Sequence, residues 1–448
     1  MPSVDEIIPV TITENSGPEN LASFDYLAII TDDAPNASFG ASNRAKKYAL
    51  SLTGLALVGT DFGPSSDTYN AVQDALNQEQ HPEYIFIIKR DAVTAQQQTL
   101  TFGGNVLAGQ TIVGTVNGVA ISVPFDTDMA GTMADLDTAV SAVTGVASAT
   151  VGGLVLTVVA TDEYKLSIGT FAVTGAGTLP TVTKAVSVAG RIISDDIAAA
   201  IAEEDTFEWF ALCPLTTNHG ALLVAAEYMQ GARLQLYVQS SESGIKTSGS
   251  TTDVAYKIDN LEYSNTTGCY NADTAEFMHV ALASLLLGTA TGGVQSGNRT
   301  LTGITPNSLT ADEASQIEGR NWNHYRKYAG AGRLRKGVRC GDGRPSESVR
   351  SKYYWANELQ TVAWNYLSEN LKPPANAAGR LSMQDELQEA NNRMVNETVL
   401  DNPVSTDPES STKVTVSAGS DPAEPIIVAR GRILHGMIGA TIQIYTEV

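Results

Sequence analysis

Apolar and polar positions repeat with different periods along this chain, and the period separates its regions. Short apolar runs at 24–33 and 84–88 flank helical patterns, which predicts a β-α-β unit of an α/β core. The stretch 43–90 is predicted as helix, loop, helix and strand. The alternation of helices and strands resumes at residue 191, and a helix opened by Thr310 and Asp312 is predicted to continue to residue 328.

The pattern changes in the middle of this core. From about 93 to 185, short Val- and Thr-rich strands are separated by glycine turns, with one weak helical pattern between them. Only Lys165 and Lys184 carry positive charge between Arg90 and Arg191. We therefore expect a β-rich domain inserted into the α/β core.

Both ends of the chain carry an apolar pattern with a period of two, which is typical of strands. Pro9 lacks an N–H group, so the first of these strands is expected at the edge of a sheet. The alternating apolar positions are Ile8, Val10 and Ile12 at the start and Ile442, Ile444 and Val448 at the end.

These patterns together predict a multidomain α/β (α+β) protein. It has a three-layer α/β core, an inserted β-rich domain and extended terminal β-arms. The expected segments are an N-terminal arm at 1–20, a core at 21–92 and 186–300, the insert at 93–185, and a C-terminal α/β assembly domain at 301–448 that ends in an arm strand at about 436–448.

Composition narrows the class of protein. At 448 residues the chain exceeds one ordinary core, and its formal net charge of -21 argues against nonspecific nucleic-acid binding by the whole surface. Three cysteines cannot form a disulfide framework, which favours a reducing compartment. The first residues lack the pattern of a signal peptide, and no apolar run reaches the length that spans a membrane.

One segment departs from the acidic composition. Residues 318–344 contain eight of the 28 Lys and Arg residues. They could form a nucleic-acid patch with Trp322, Tyr325 and Tyr328 stacking on bases, a solvated face, or a surface that docks onto acidic protein. The spacing of three between the aromatic residues also fits side chains that face the core.

No segment predicts catalysis or metal binding. A glycine-rich stretch at 288–300 lacks the Lys-Ser of a phosphate loop, and 126–137 resembles a calcium loop but lacks its final Glu. Ser243 and Lys246 match a Ser-x-x-Lys pair without the partner motifs of that chemistry, and the five histidines lack zinc spacing. We expect no enzyme activity, no cofactor and no metal.

Several motifs in order resemble those of contractile tail sheath proteins of tailed phages (myophage type). The stretch 49–90 is similar to an early region of that family. Two later stretches, 309–332 and 337–367, resemble a helix with Asn and Tyr before a Gly-rich turn, and a Gly-rich loop before an aromatic helix. In the early region the matching positions are Asp61, Phe62, Gly63, Ser65, Ser66, Tyr69, Ala71, Pro82 and Arg90.

The resemblance implies a structural subunit of the virion tail, assembled in the host cytoplasm. Such subunits stack as six-fold rings around a tail tube, and terminal arms complete a β-sheet in neighbours while the sheath contracts. The implied partners are other copies of the chain, the tail tube protein, and baseplate and tail terminator proteins, without nucleic acid or membrane insertion. The residues expected in the inter-subunit arms are Ile8, Val10, Ile12, Ile442, Ile444 and Tyr445, and those expected in an assembly or tube-facing basic segment are Arg326, Lys327, Arg333, Arg335, Lys336 and Arg339.

Two alternatives remain open at this point. The chain could be another tail component, in the tube or the baseplate. It could also be a nucleic-acid-binding protein that uses the basic segment, in which case binding would weaken with salt.

Overall fold

The structure is a computed structural model that describes residues 6–10, 23–40, 42–203, 208–293, 295–369, 376–400, 413–417 and 426–431. The chain divides into two compact units. The first unit comprises Met1–Lys89, Ala200–Thr217 and Ala226–Val448, and the second comprises Arg90–Ala199 and Asn218–Ala225.

The strands and helices are numbered along the chain. The strands are β1 (Glu6–Val10), β2 (Ser23–Thr31), β3 (Ala45–Ala49), β4 (Tyr84–Lys89), β5 (Gln97–Phe102), β6 (Gln110–Val116), β7 (Val119–Pro124), β8 (Val146–Gly152), β9 (Val155–Ala160), β10 (Ala172–Gly175), β11 (Val182–Val188), β12 (Trp209–Leu215), β13 (Gln235–Ser240), β14 (Thr266–Tyr270), β15 (Asn323–Tyr328), β16 (Ala331–Arg335), β17 (Lys413–Ser417) and β18 (Ile426–Gly431). The α-helices are α1 (Leu52–Phe62), α2 (Asp67–Leu76), α3 (Met129–Ser141), α4 (Ile193–Ile201), α5 (His219–Ala232), α6 (Val254–Asn260), α7 (Met278–Leu287), α8 (Ala311–Gly319), α9 (Glu347–Glu369) and α10 (Ala377–Asn396).

An eight-stranded sheet in the order β16-β15-β14-β13-β12-β2-β4-β3 organises the first unit. The six strands from β15 to β4 run parallel, and β16 and β3 are antiparallel at the two edges. Four consecutive residues of β4, Ile85 to Ile88, are fully buried, as expected where both faces of a parallel sheet are covered. The predicted β-α-β unit between β2 and β4 and the multidomain α/β class are therefore confirmed.

Side-chain caps explain where several helices of the first unit begin. The Ser51 hydroxyl accepts from Gly54 N–H at the start of α1, and the Ser66 hydroxyl accepts from Tyr69 N–H at the start of α2. At α8 the side chains of Thr310 and Glu313 form a reciprocal capping box. These polar residues satisfy N–H groups that have no partner within the helix.

Two predictions of secondary structure are wrong in part. The helix predicted from 310 to 328 ends at Gly319, because Asn321 adopts a left-handed conformation with φ of 52° and β15 follows. The stretch 43–90 contains β3 before its first helix, which was not predicted. In both cases pairing with a neighbouring strand decides the structure, β14 for β15 and β4 for β3.

The second unit is β-rich, with α3 between β7 and β8. It contains a sheet in the order β10-β6-β7 and another in the order β11-β5-β9-β8, and all pairs in both are antiparallel. Their inner residues and those of α3 form one apolar core that includes Leu100, Ile112, Leu136 and Leu156. The sequence places this insert at 93–185, and the unit described here also includes most of α4 and the start of α5.

A small sheet in the order β1-β18-β17 also belongs to the first unit. Its buried residues Val414, Ile427 and Ala429 form an apolar core together with residues of α9 and α10, among them Trp355 and Leu387. We call these three strands the terminal sheet.

Candidate functional site

The basic segment is not a helix but a β-hairpin formed by β15 and β16. Ala329 and Gly330 between the strands have φ of 49° and 86°, the combination of a type I′ turn. In the register, Arg326 lies opposite Arg333 and Tyr328 opposite Ala331.

This register gathers three arginines on one side of the hairpin. Cross-strand partners point to the same face, and so do residues two positions apart. Arg326, Arg333 and Arg335 therefore share a face with Tyr328, and we call these three arginines the arginine face. The Arg335 guanidinium lies 5.5 Å from the centre of the Tyr328 ring, and the Tyr328 side chain is 64% exposed.

The opposite side of the hairpin fixes it to the protein. Tyr325 and Leu334 lie opposite each other and are buried. The Tyr325 hydroxyl accepts from Leu301 N–H at 3.2 Å, and the backbone of Leu334 pairs with Asn298 and Arg299. Tertiary contacts thus hold the hairpin so that the arginine face points away from the core.

Within the described part of the chain, no carboxylate neutralises the positive charges of the arginine face. There, no Asp or Glu oxygen lies within 4 Å of its guanidinium nitrogens. Arg333 Nη1 donates to Thr300 Oγ1 at 2.9 Å, a neutral partner. Lys327 and Lys336 are exposed, and Lys336 Nζ lies 3.5 Å from the Glu318 carbonyl oxygen.

Other basic residues of the segment are used within the fold. Arg339 is 4% exposed and donates to both oxygens of Asp342, at 2.9 and 2.6 Å. Arg344 Nε lies 3.6 Å from Asp342 Oδ2, and Arg320 Nε lies 3.3 Å from the buried Asp253. The structure thus places Arg339 away from the arginine face, although the sequence groups it with those residues.

The aromatic residues of the segment are also divided. Trp322 and Tyr325 are buried, which leaves Tyr328 as the exposed one of the three. His324 is buried beside Glu318, with Nε2 3.1 Å from Oε1. Burial is the main cause that lowers the His324 pKa, and the charges of Arg326 and Arg335 lower it further. The segment therefore offers one exposed ring rather than a row of stacking positions.

The structure describes part of the predicted terminal arms. The backbone of Ile8 pairs with Ala429 and that of Val10 with Ile427, in the β1–β18 pair of the same chain. The predicted arm residues Ile12, Ile442, Ile444 and Tyr445 lie outside the described residues. Nothing in the sequence indicated that β18 would meet β1.

The described residues contain no cluster of His, Cys, Asp and Glu side chains that could hold a metal ion. The stretch that resembles a calcium loop is the start of α3, where Asp128 accepts from Gly131 N–H as the N-cap. Lys246 of the Ser-x-x-Lys pair forms an ion pair with Glu313 at 2.8 Å. His279 is a core residue, and burial lowers its pKa to about 4.

No helix among the described residues has the length and apolar character needed to cross a membrane.

Comparison with solved structures identifies the fold. No family model and no curated protein matches the chain. The sheath tail protein of Listeria innocua superposes with a TM-score of 0.50 and 11% identity, over 93% of each chain. A chain of the anti-feeding prophage baseplate matches with a TM-score of 0.50 and 10% sequence identity, over 98% of each chain. A chain of the contracted sheath of the extracellular contractile injection system PVC matches with a TM-score of 0.50 and 11% sequence identity. The match covers 98% of this chain and 99% of that one.

These similarities extend over nearly the whole length of each protein. The chain therefore has the fold of contractile tail sheath proteins, as the resemblance in its sequence implied. At 10–11% identity the comparison establishes the fold alone.

Proposed function

We propose that this chain is the structural subunit of a contractile tail sheath. Copies would stack as hexameric rings around a tail tube, and contraction would drive the tube through the envelope of a target cell. The observation that carries the proposal is the match to sheath proteins over 93–98% of this chain. The function is mechanical, without catalysis, and it takes place in the tail of a virion or of a related injection device after assembly in the host cytoplasm.

The terminal sheet supports this role because it contains the strand nearest to the start of the chain. A strand that pairs through main-chain hydrogen bonds can pair with the same partner in another copy. We propose that β1 and the C-terminal segment 436–448 are the arms that link neighbouring subunits.

The arginine face supplies a second contact. An acidic protein of net charge -21 repels its own copies at long range, so a local cationic surface orients their approach. We propose that Arg326, Arg333 and Arg335 dock onto an acidic surface of the neighbouring subunit or of the tube protein. The tube, baseplate and terminator proteins are the expected heterologous partners.

A place in the baseplate is the second candidate, because one matched chain comes from a baseplate structure. Negative-stain electron microscopy of the purified chain, alone and co-expressed with its tube protein, separates these possibilities. A sheath subunit forms tubes or stacked rings whose length grows with protein concentration. Rings of a single layer in both preparations would favour the baseplate, and monomers in both would contradict the proposal.

A further inference from the structure

The sheet β11-β5-β9-β8 of the second unit has one covered edge and one open edge. At β8, the Ala149 N–H donates to the Ser141 hydroxyl oxygen at the end of α3, at 3.0 Å. Among the described residues, no strand pairs with the outer side of β11, and residues 183–187 are all exposed. Such an edge presents N–H and C=O groups to which a strand of another molecule can add.

The register shows which groups of β11 form this open edge. Gly103 N–H donates to the Thr181 carbonyl oxygen at 2.8 Å, and in an antiparallel pair every second residue bonds to the partner strand. The N–H and C=O groups of Val182, Lys184 and Val186 therefore point away from β5.

The composition of β11 favours association with a copy of itself. Residues 181–188, TVTKAVSV, are β-branched or small except for Lys184, which carries the only charge. Segments of six or seven residues with high β propensity and low charge, without proline, readily pair with identical segments. Lys184 is the one residue of this stretch that departs from that pattern.

Lys184 lies on the core side of the sheet. Its register partner is Leu100, which is fully buried in the apolar core of the second unit. The Lys184 ammonium group donates to the carbonyl oxygen of Ile168, a residue of the same core. The side chain thus holds a positive charge at the margin of the core, where an added strand would place its own inward-facing side chains.

A second β11 would bring this charge against its own copy. If two such edges pair about a two-fold axis at Lys184, the two lysines lie opposite each other, with Cα atoms about 5.5 Å apart, and Val182 lies opposite Val186. Like charges directly opposite destabilise a strand pair, and burying an ammonium group without a counter-charge adds a desolvation cost. The valines on either side of Lys184 would otherwise pack against those of the other copy.

We propose that Lys184 keeps the open edge of β11 from pairing with the β11 of a second copy of this chain. A shift of register between Val186 and Val188 acts in the same direction, because a β-bulge interrupts regular pairing at an edge. The inference goes beyond the proposed sheath function and does not rest on it, since the edge and its charge belong to the single chain.

The variant Lys184→Val tests the proposal in the full-length chain by amide hydrogen exchange. Exchange at positions 182, 184 and 186 reports pairing at this edge, so assembly through other surfaces does not enter the measurement. In the wild type the exchange rates should not depend on protein concentration. In Lys184→Val they should fall at least about tenfold between dilute and concentrated protein.

Two results would overturn the proposal. One is exchange independent of concentration in Lys184→Val while peptides from 97–102 remain slow to exchange, which shows that the sheet is folded. The other is slowing with concentration in the wild type, because Lys184 would then fail to prevent pairing. Lys184→Gln also removes the charge but stays polar, and it should behave as Lys184→Val does, so the test stands if the valine variant does not fold.

Two control variants separate the charge from the other properties of the strand. Lys184→Glu keeps a charge at the margin of the core and should exchange as the wild type does. Thr183→Val adds an apolar β-branched residue on the outer face of the same strand and should also leave exchange independent of concentration. Slowing of equal size in Thr183→Val and Lys184→Val would contradict the proposal, because general apolar character rather than the charge at 184 would then control pairing.

Discussion

A buried ionic cluster within the second unit provides a quantitative test of that unit's structure. Arg90, Glu163 and Asp196 are all nearly fully buried, and the Arg90 guanidinium pairs with Glu163 and lies 3.6 Å from Asp196. Glu163 also accepts from Ile193 N–H at 2.8 Å. The cluster thus joins the first residue of the segment Arg90–Ala199, a residue in its second half and a residue close to its end.

Replacing Glu163 with Gln keeps the size of the side chain but removes one of the charges that neutralise Arg90. Removing one partner of a buried ion pair costs about 3–5 kcal/mol, because the other charge remains buried. Asp196 still lies near Arg90, so we expect a loss at the lower end, about 3 kcal/mol. At a urea dependence of about 1.5 kcal/mol per M, the unfolding midpoint of the unit would fall by about 2 M.

The assay follows the two units separately. All four tryptophans lie in the first unit, so their fluorescence reports that unit alone, while hydrogen exchange of peptides from 97–188 reports the second. The control is Lys165→Gln, which removes the exposed pair with Asp195 and should cost at most about 0.5 kcal/mol. A Glu163→Gln loss no larger than that of the control would refute the argument that burial makes this cluster essential.

Three further predictions concern the first unit. Arg333→Glu/Arg335→Glu should reduce tube formation at least about tenfold in sedimentation assays, while the monomer's unfolding free energy changes by less than about 0.5 kcal/mol. The control is Lys257→Glu at an exposed position. Equal assembly of the double variant and the control would exclude a role for the arginine face. Burial raises the pKa of Asp74 to about 6, so its ionisation lowers the unfolding free energy as pH rises from about 4 to 6. Asp74→Asn should flatten this decline, measured by urea titrations across that pH range. An unchanged dependence of the unfolding free energy on pH would contradict the assignment. Thr310→Ala removes a capping box and should cost about 1 kcal/mol in urea unfolding, whereas no change would mean that solvent replaces the cap.

The chain shows which structural features local sequence can specify. The apolar runs of β2 and β4 and the helical patterns between them were sufficient to predict a β-α-β unit, because these patterns depend on residues close together in the chain. The helix predicted to 328 failed beyond Gly319 for the opposite reason. Asn323–Tyr328 forms a strand because β14 offers it a partner, and β14 lies more than fifty residues earlier.

In the candidate site, too, some features follow from local sequence and others only from the tertiary structure. A high density of Lys and Arg in 318–344 identified the segment, since composition is local. The hairpin register decides which residues form the exposed face, because it places Arg326 opposite Arg333. Arg339 lies beyond the hairpin and is buried against Asp342. The order of residues along the chain does not distinguish the exposed arginines from the buried one.

The sequence by itself determined the acidic composition, the α/β class, the β-rich middle segment and the alternating strand at the start of the chain. Only the tertiary structure decided that β1 pairs with β18 and that α10 supplies Gln384 and Gln388 to the outer edge of β17. The physical reason is range. Propensity, capping and turn chemistry act over a few residues, whereas hydrogen bonds between strands join segments more than four hundred positions apart, and their partners are chosen by the packing of the whole unit.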